Sequence, residues 1–205
     1  MKAKLKNIVQ ARIPTAHGEF TLHYYSNSID EKEHIAFVKG DVANKTSVPV
    51  RIHSECFTGD VLGSRRCDCG EQLDMALNLI DKAGYGVLIY LRQEGRGIGL
   101  LKKLQAYNLQ DEGLDTVDAN IHLGHLADER VYDLAALMLE DLAIKSISLI
   151  TNNPKKIEEL IELGVHVDQR IPIETDIHHD NVEYLKTKAK KMSHILTMSD
   201  EPPSK

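Results

Sequence analysis

Leu73-Asp74-Met75-Ala76-Leu77-Asn78-Leu79-Ile80-Asp81-Lys82-Ala83-Gly84-Tyr85-Gly86-Val87-Leu88-Ile89-Tyr90-Leu91 carries two periodicities in succession. Leu73, Ala76, Leu77, Ile80 and Ala83 fall at helical spacing, Gly84 stops the run, and Val87 to Leu91 is an unbroken apolar stretch. The first set lies on one face of a helix, and a short apolar run after a glycine stop suits a strand buried on both faces. The alternation recurs downstream. Leu100, Leu101, Leu104 and Tyr107 predict a helix, as do Val131, Leu134, Ala135, Met138 and Leu142. Ile147 to Thr151 reads as a strand, Lys155 to Leu163 as a helix stopped by Gly164, Val165 to Arg170 as a strand, and Val182 to Leu196 as a closing helix that docks by Leu185, Ala189, Met192 and Leu196.

Upstream the period changes to two. Ile8 to Pro14, Glu19 to Tyr25 and Ile35 to Lys39 are β-favouring runs separated by His17-Gly18, Ser26-Asn27-Ser28 and Gly40-Asp41 turn signals. The expected fold class is α/β, a mostly parallel or mixed sheet with helices on both faces, preceded by an antiparallel β-rich N-terminal part. No linker or internal repeat divides the chain, so one domain is expected over residues 1–198, with a polar tail over 199–205.

Composition narrows the function classes. The chain has 205 residues, 42% hydrophobic and 27% charged, and no run approaches the ~18 apolar residues of a membrane span. Lys plus Arg number 25 against 31 Asp plus Glu, Trp is absent, and aromatics are 5%. Neither a nucleic-acid partner nor a membrane partner is expected from this balance. Charge is uneven, since Arg51 to Lys103 holds eight basic and seven acidic side chains on an otherwise acidic chain, a hint of a local anion site. The N-terminal lysines precede no apolar core of the secretory kind, and three cysteines suit a reducing compartment. A cytoplasmic location is the expectation.

Cys56, Cys67 and Cys69 are the three cysteines, all within fourteen residues. Thiolates are soft ligands suited to zinc, and three of them leave a fourth tetrahedral place for water, the mark of a catalytic site. His53, three residues before Cys56, could instead close the shell and make the zinc structural, and spacing alone leaves both readings open. A single buried cysteine would be read as a small hydrophobe; the clustering argues for metal.

Two loops at the carboxyl ends of expected strands have anion-binding chemistry. Arg92-Gln93-Glu94-Gly95-Arg96-Gly97-Ile98-Gly99 could offer backbone N–H groups and fork-shaped arginine contacts, although a tight strand-to-helix turn accounts for it equally well. Thr151-Asn152-Asn153-Pro154-Lys155-Lys156 divides the same way between phosphate binding and a capped helix start. Asp128 reads locally as the N-cap of the helix running to Leu142, and Tyr107 as a helical core tyrosine. Alternation puts Arg51, His53 and Glu55 on one face of an extended segment beside any metal.

Arg51-Ile52-His53-Ser54-Glu55-Cys56-Phe57-Thr58-Gly59-Asp60, Cys67-Asp68-Cys69-Gly70, Arg92-Gln93-Glu94-Gly95-Arg96-Gly97-Ile98-Gly99-Leu100, Ala127-Asp128-Glu129-Arg130 and Thr151-Asn152-Asn153-Pro154-Lys155-Lys156, in this order, resemble GTP cyclohydrolase II from about Ala11 to Leu196. The resemblance implies opening of the guanine imidazole ring of GTP, release of formate and pyrophosphate, and one Zn2+ held by Cys56, Cys67 and Cys69, with His53 outside the ligand set. It implies GTP contacts from Arg51, Ile52, His53, Ser54, Glu55, Gln72, Glu94, Gly95, Arg96, Thr116, Thr151 and Lys156.

By the same match Asp128 is the proton acceptor, Tyr107 lies near the purine, and Arg130 is a nucleophile carrying the guanylyl group. A guanidinium stays protonated, so a charge clamp on the α-phosphate is the other role for Arg130. Departing pyrophosphate suggests Mg2+. Relatives often fuse a dihydroxybutanone phosphate synthase, for which 205 residues leave no room, so a monofunctional chain is expected. The resemblance also implies a homodimer. His125 replaces an aromatic frequent in relatives, which bears on packing before Asp128. The competing readings are a guanine-nucleotide-binding regulatory module with a structural Cys3His zinc, and a cyclohydrolase that stops at the formamide product.

Overall fold

The computed structural model describes residues 3–196; the polar tail 199–205 lies outside the described residues. In chain order come β1 (Leu5–Thr15), β2 (Gly18–Asn27), β3 (His34–Lys39), β4 (Val48–Ser54), α1 (Phe57–Asp60), α2 (Cys69–Ala83), β5 (Gly86–Leu91), a 3-10 turn (Glu94–Gly97), α3 (Leu100–Asp111) and α4 (Thr116–His122). They are followed by α5 (Asp133–Asp141), β6 (Ile147–Ile150), α6 (Pro154–Glu162), β7 (Val167–Ile171) and α7 (Val182–Lys191).

The seven strands form one mixed sheet in the order β1-β2-β3-β5-β4-β6-β7. The pairs β1/β2, β2/β3 and β3/β5 are antiparallel, while β4/β6 and β6/β7 are parallel. The expected antiparallel N-terminal part is therefore the flank of the same sheet, with Val87 of β5 opposite Val38 and Ile89 opposite Ala36. β1 is largely exposed along its length, as suits an edge strand that buries little.

The chain forms two compact units, each built from separate stretches. The first comprises the described residues of Met1–His53 with Asp74–Arg92 and Val131–Ile173. Its core gathers Val48, Val50 and Ile52 of β4, Val87, Ile89 and Leu91 of β5, Met138 of α5 and Leu149 of β6, all buried. Each large apolar side chain removed from water there contributes about 1.5–3 kcal/mol. The second comprises Ser54–Leu73, Gln93–Arg130 and the described residues of Glu174–Lys205.

Two local readings change. α5 begins at Asp133 after Tyr132, so Asp128 is not its cap. α7 ends at Lys191, leaving Met192 and Leu196 beyond the helix. Arg51 to Ser54, expected as an extended segment, lies in β4, and α4 is a helix beyond those the apolar spacing announced. It is started instead by Asp115, whose carboxylate accepts from the N–H groups of Val117 and Asp118.

Candidate active site

The second unit holds the cysteines. Their sulfurs lie within 4.8 Å of one another, and Cys56 Sγ is 3.6 Å from Cys67 Sγ. Cys56 precedes α1, whose Asp60 carboxylate accepts from the Cys56 N–H at 3.0 Å, and Cys69 opens α2, so two short helical starts aim the thiols at one point. A Cβ at Gly59 would sit 3.1 Å from both Cys56 Sγ and Cys67 Sγ, so glycine leaves the sulfurs room. Hydrogen bonds from the other two sulfurs, and then the Lys103 ammonium, hold the Cys56 thiol far below its ordinary range against the effect of burial. Cys67 and Cys69 are pushed up, first by sharing their hydrogen bonds with Cys56. A divalent cation held by the three sulfurs would favour their thiolate forms.

This donor set fits a soft metal ion: three converging sulfurs, no carboxylate among them, and a glycine-lined space. Among the described residues His53 is not of the group. It is buried in the first unit, its ring stacked on Tyr90 at 5.5 Å.

The sulfurs line a cleft made wholly by the second unit, together with Ser54, Glu55, Glu94, Gly95, Arg96, Tyr107, Thr116 and Arg130 of the residues singled out in the sequence. Glu94 is fixed by three donors, the Phe57 N–H at 2.6 Å, the Gly95 N–H at 2.9 Å and Lys103 Nζ at 2.8 Å. Arg96 adopts a left-handed φ of 62°, and Gly97, φ 100°, passes so close to Glu129 that a Cβ would lie 3.0 Å from the Glu129 carbonyl oxygen. The amides of Gly95, Gly97 and Gly99 donate to Glu94 or Gln93. Those three N–H groups are consumed inside the loop, and the Arg96 side chain lines the cleft.

Tyr107 lies half-buried, with the Arg66 guanidinium 4.7 Å from its ring centroid and its hydroxyl 3.4 Å from Thr58 Oγ1. Burial raises its pKa, so the phenol stays protonated near neutrality. Asp128 is half-buried and chelated by Arg130: its Oδ1 accepts from Arg130 N and Nε at 3.1 and 2.8 Å, and its Oδ2 from Nη2. Burial alone would raise the Asp128 pKa, and the Arg130 contacts bring it below the ordinary carboxylate value. His125 reaches the Glu129 carboxylate at 3.1 Å.

Gln72 gives its amide to Asp68 Oδ2 at 2.6 Å, away from the cleft lining. The remaining candidates belong to the first unit. Arg51 donates to the Ile150 carbonyl at 3.0 Å, and Lys156 to the Ile52 carbonyl at 2.8 Å, both side chains buried. Thr151 Oγ1 accepts from the Asn153 N–H at 3.1 Å, and Asn153 caps α6 ahead of Pro154. The helix-start reading of that loop therefore accounts for much of its sequence.

Residues not legible as functional also line the cleft: Lys103, Gln110, Tyr184 and Lys188. Ser54 Oγ, Arg96 Nη2 and Gln110 Nε2 are buried without a protein hydrogen-bond partner, as groups awaiting a polar ligand would be. Gln110 lies at helical spacing from Lys103 and Tyr107, and that is the signal which could have found it.

Three thiols converging on one cleft define a class of candidate soft-metal site. A profile described as GTP cyclohydrolase II matches residues 6–172. The chain is 54% identical over 193 residues to the riboflavin biosynthesis protein RibBA of Chlamydia muridarum, covering 94% of this chain and 46% of that protein. It is 54% identical over 190 residues to the RibBA of Bacillus mycoides, 93% and 48%, and 50% identical over 204 residues to that of Mycobacteroides abscessus, 97% and 49%. The chain thus spans about half the length of these relatives. The chain belongs to the GTP cyclohydrolase II family.

Proposed function

We propose that the chain is a zinc-dependent GTP cyclohydrolase acting in riboflavin biosynthesis. It opens the guanine imidazole ring, releases C8 as formate, expels pyrophosphate, and gives 2,5-diamino-6-hydroxy-4-(5-phosphoribosylamino)pyrimidine. The observation that carries this reading is the convergence of Cys56, Cys67 and Cys69 on a cleft containing unpartnered polar groups. Held by the three thiolates, Zn2+ would supply Lewis acidity and a water of lowered pKa.

The chain's own residues bind and move protons around that chemistry. Tyr107, kept protonated by burial, donates its O–H toward the purine. Arg130 acts as a charge clamp on the α-phosphate: a guanidinium chelated by a carboxylate remains a cation and is a poor nucleophile. Asp128 accepts a proton once phosphate has drawn Arg130 from it, because the pairing itself weakens the carboxylate as a base. Ser54, Glu55, Gln72, Glu94, Gly95, Arg96 and Thr116 are proposed GTP contacts in the second unit. Arg51, Ile52, His53, Thr151 and Lys156 are proposed GTP contacts on the family likeness.

The substrate is taken as the Mg2+ complex, the usual form in which pyrophosphate leaves. A homodimer rests on the family likeness, and a cytoplasmic location on three cysteines that suit a reducing compartment. Among the described residues no helix is long and apolar enough to cross a membrane.

Incubation with Mg2+ and GTP should release formate and pyrophosphate together, with mass analysis giving the deformylated pyrimidine. A zinc-loaded protein releasing neither would sink the proposal, and retention of the formyl group would make it a formamide-forming relative. Cys67→Ser should abolish turnover in a folded protein.

A further inference from the structure

Lys103 is a buried ammonium with two partners. Its Nζ donates to Cys56 Sγ at 3.0 Å and to Glu94 Oε1 at 2.8 Å, and its side chain is 11% exposed. Its cation lies 5.6 Å from the Tyr107 ring centroid. The other Glu94 oxygen accepts from the Phe57 N–H, and Phe57 follows Cys56 in the chain. A closed ring results: Cys56 sulfur, Lys103 ammonium, Glu94 carboxylate, Phe57 amide, and back through one peptide unit to Cys56.

Desolvating an ammonium is costly, and a lysine fitted only for packing would turn its charge to water. Lys103 instead gives one donor to a sulfur and one to a carboxylate. We infer that Lys103 is a positioning residue of the thiolate centre, setting a cationic N–H donor against the Cys56 sulfur, fixing its orientation and tying that ligand to the Glu94 loop; this rests on the metal reading proposed above. Three thiolates around a divalent cation carry a surplus negative charge, and an N–H donor on one sulfur offsets it. Groups of this kind, one bond beyond the ligand, govern how tightly a metal is held.

Lys103→Met keeps the volume and removes the donors, while Lys103→Arg keeps the charge and N–H groups. In the full chain, zinc affinity measured by competition with a chromophoric chelator should fall about 10–100-fold in Lys103→Met, with substantial recovery in Lys103→Arg. The sulfur-to-metal charge-transfer band of the cobalt-substituted protein should shift in Lys103→Met and return toward its original energy in Lys103→Arg. An unchanged affinity and band in Lys103→Met, with wild type binding one zinc that Cys67→Ser loses, overturns the inference and leaves the metal reading standing. Wild type that binds no zinc at the cysteines overturns both. Should Lys103→Met not fold, Glu94→Gln is read instead, since it removes the carboxylate charge that orients the ammonium. It should weaken zinc binding and shift the cobalt band, and no change in either overturns the inference.

Discussion

Asp68 stands between two metal-ready sulfurs yet directs its charge elsewhere. Its oxygens meet Lys188 Nζ at 2.6 and 2.9 Å, and Gln72 Nε2 lies 2.6 Å from one of them. Asp68 is 1% exposed and Lys188 8%. Asp68→Asn leaves a buried ammonium without its counter-charge, and urea unfolding should show a loss of about 3 kcal/mol or more. A loss under about 1 kcal/mol would show that water reaches the pair. Tyr107→Phe deletes only the hydroxyl facing Thr58, so kcat should fall roughly 100-fold while KM moves little, by steady-state kinetics with GTP. A rise in KM alone would make the hydroxyl a binding group.

The convergence of the cysteines was legible at this scale because three thiols within fourteen residues suit a common ligand. Lys103 and Lys188 were not, since a lysine in a helical run reads as a solvated side chain until its partner, 47 or 120 residues away, is known. Asp128 misled for a related reason: an acidic residue before an apolar helical pattern has the look of a cap, and the actual start at Asp133 became visible only with the fold.

Among elements, the seam between β3 and β5 carries a titrating group. His34 is buried, its Nδ1 accepting from the Arg92 N–H at 3.1 Å while Nε2 faces Asp30 at 3.1 Å. Burial lowers its pKa, outweighing the Asp30 interaction. The unfolded chain, with an ordinary imidazole near pH ~6.5, therefore binds the proton better than the folded one. Stability from this group is complete above that value and declines as pH falls from it toward the depressed folded pKa. His34→Gln should flatten that acid-side slope in denaturation curves taken at successive pH values, and an unchanged slope would assign the dependence to other groups.

Sequence periodicity located β5 and gave its burial, since an apolar run reports faces covered. It did not report direction: nothing in Val87 to Leu91 distinguishes a parallel neighbour from the antiparallel β3 it pairs with. α4 escaped because Thr116 to His122 has no apolar stripe; its signal was the capping Asp115.

For the whole molecule, the core around Met138, Ile89 and Leu149 includes none of the cysteines. Chelating the metal should abolish product formation while far-UV circular dichroism retains most of its amplitude. Complete melting on chelation would instead mark the ion as structural, as in a nucleotide-binding regulatory module.

α7 extends to Lys191, whereas the family profile ends at residue 172, and Tyr184 and Lys188 line the same cleft as the thiols. A chain trimmed at that profile boundary would keep all three cysteines and lose part of the wall around them. It would also strand the Asp68 carboxylate that Lys188 now neutralises. An expression fragment chosen by homology limits alone would be a poor guide to what the intact chamber can do.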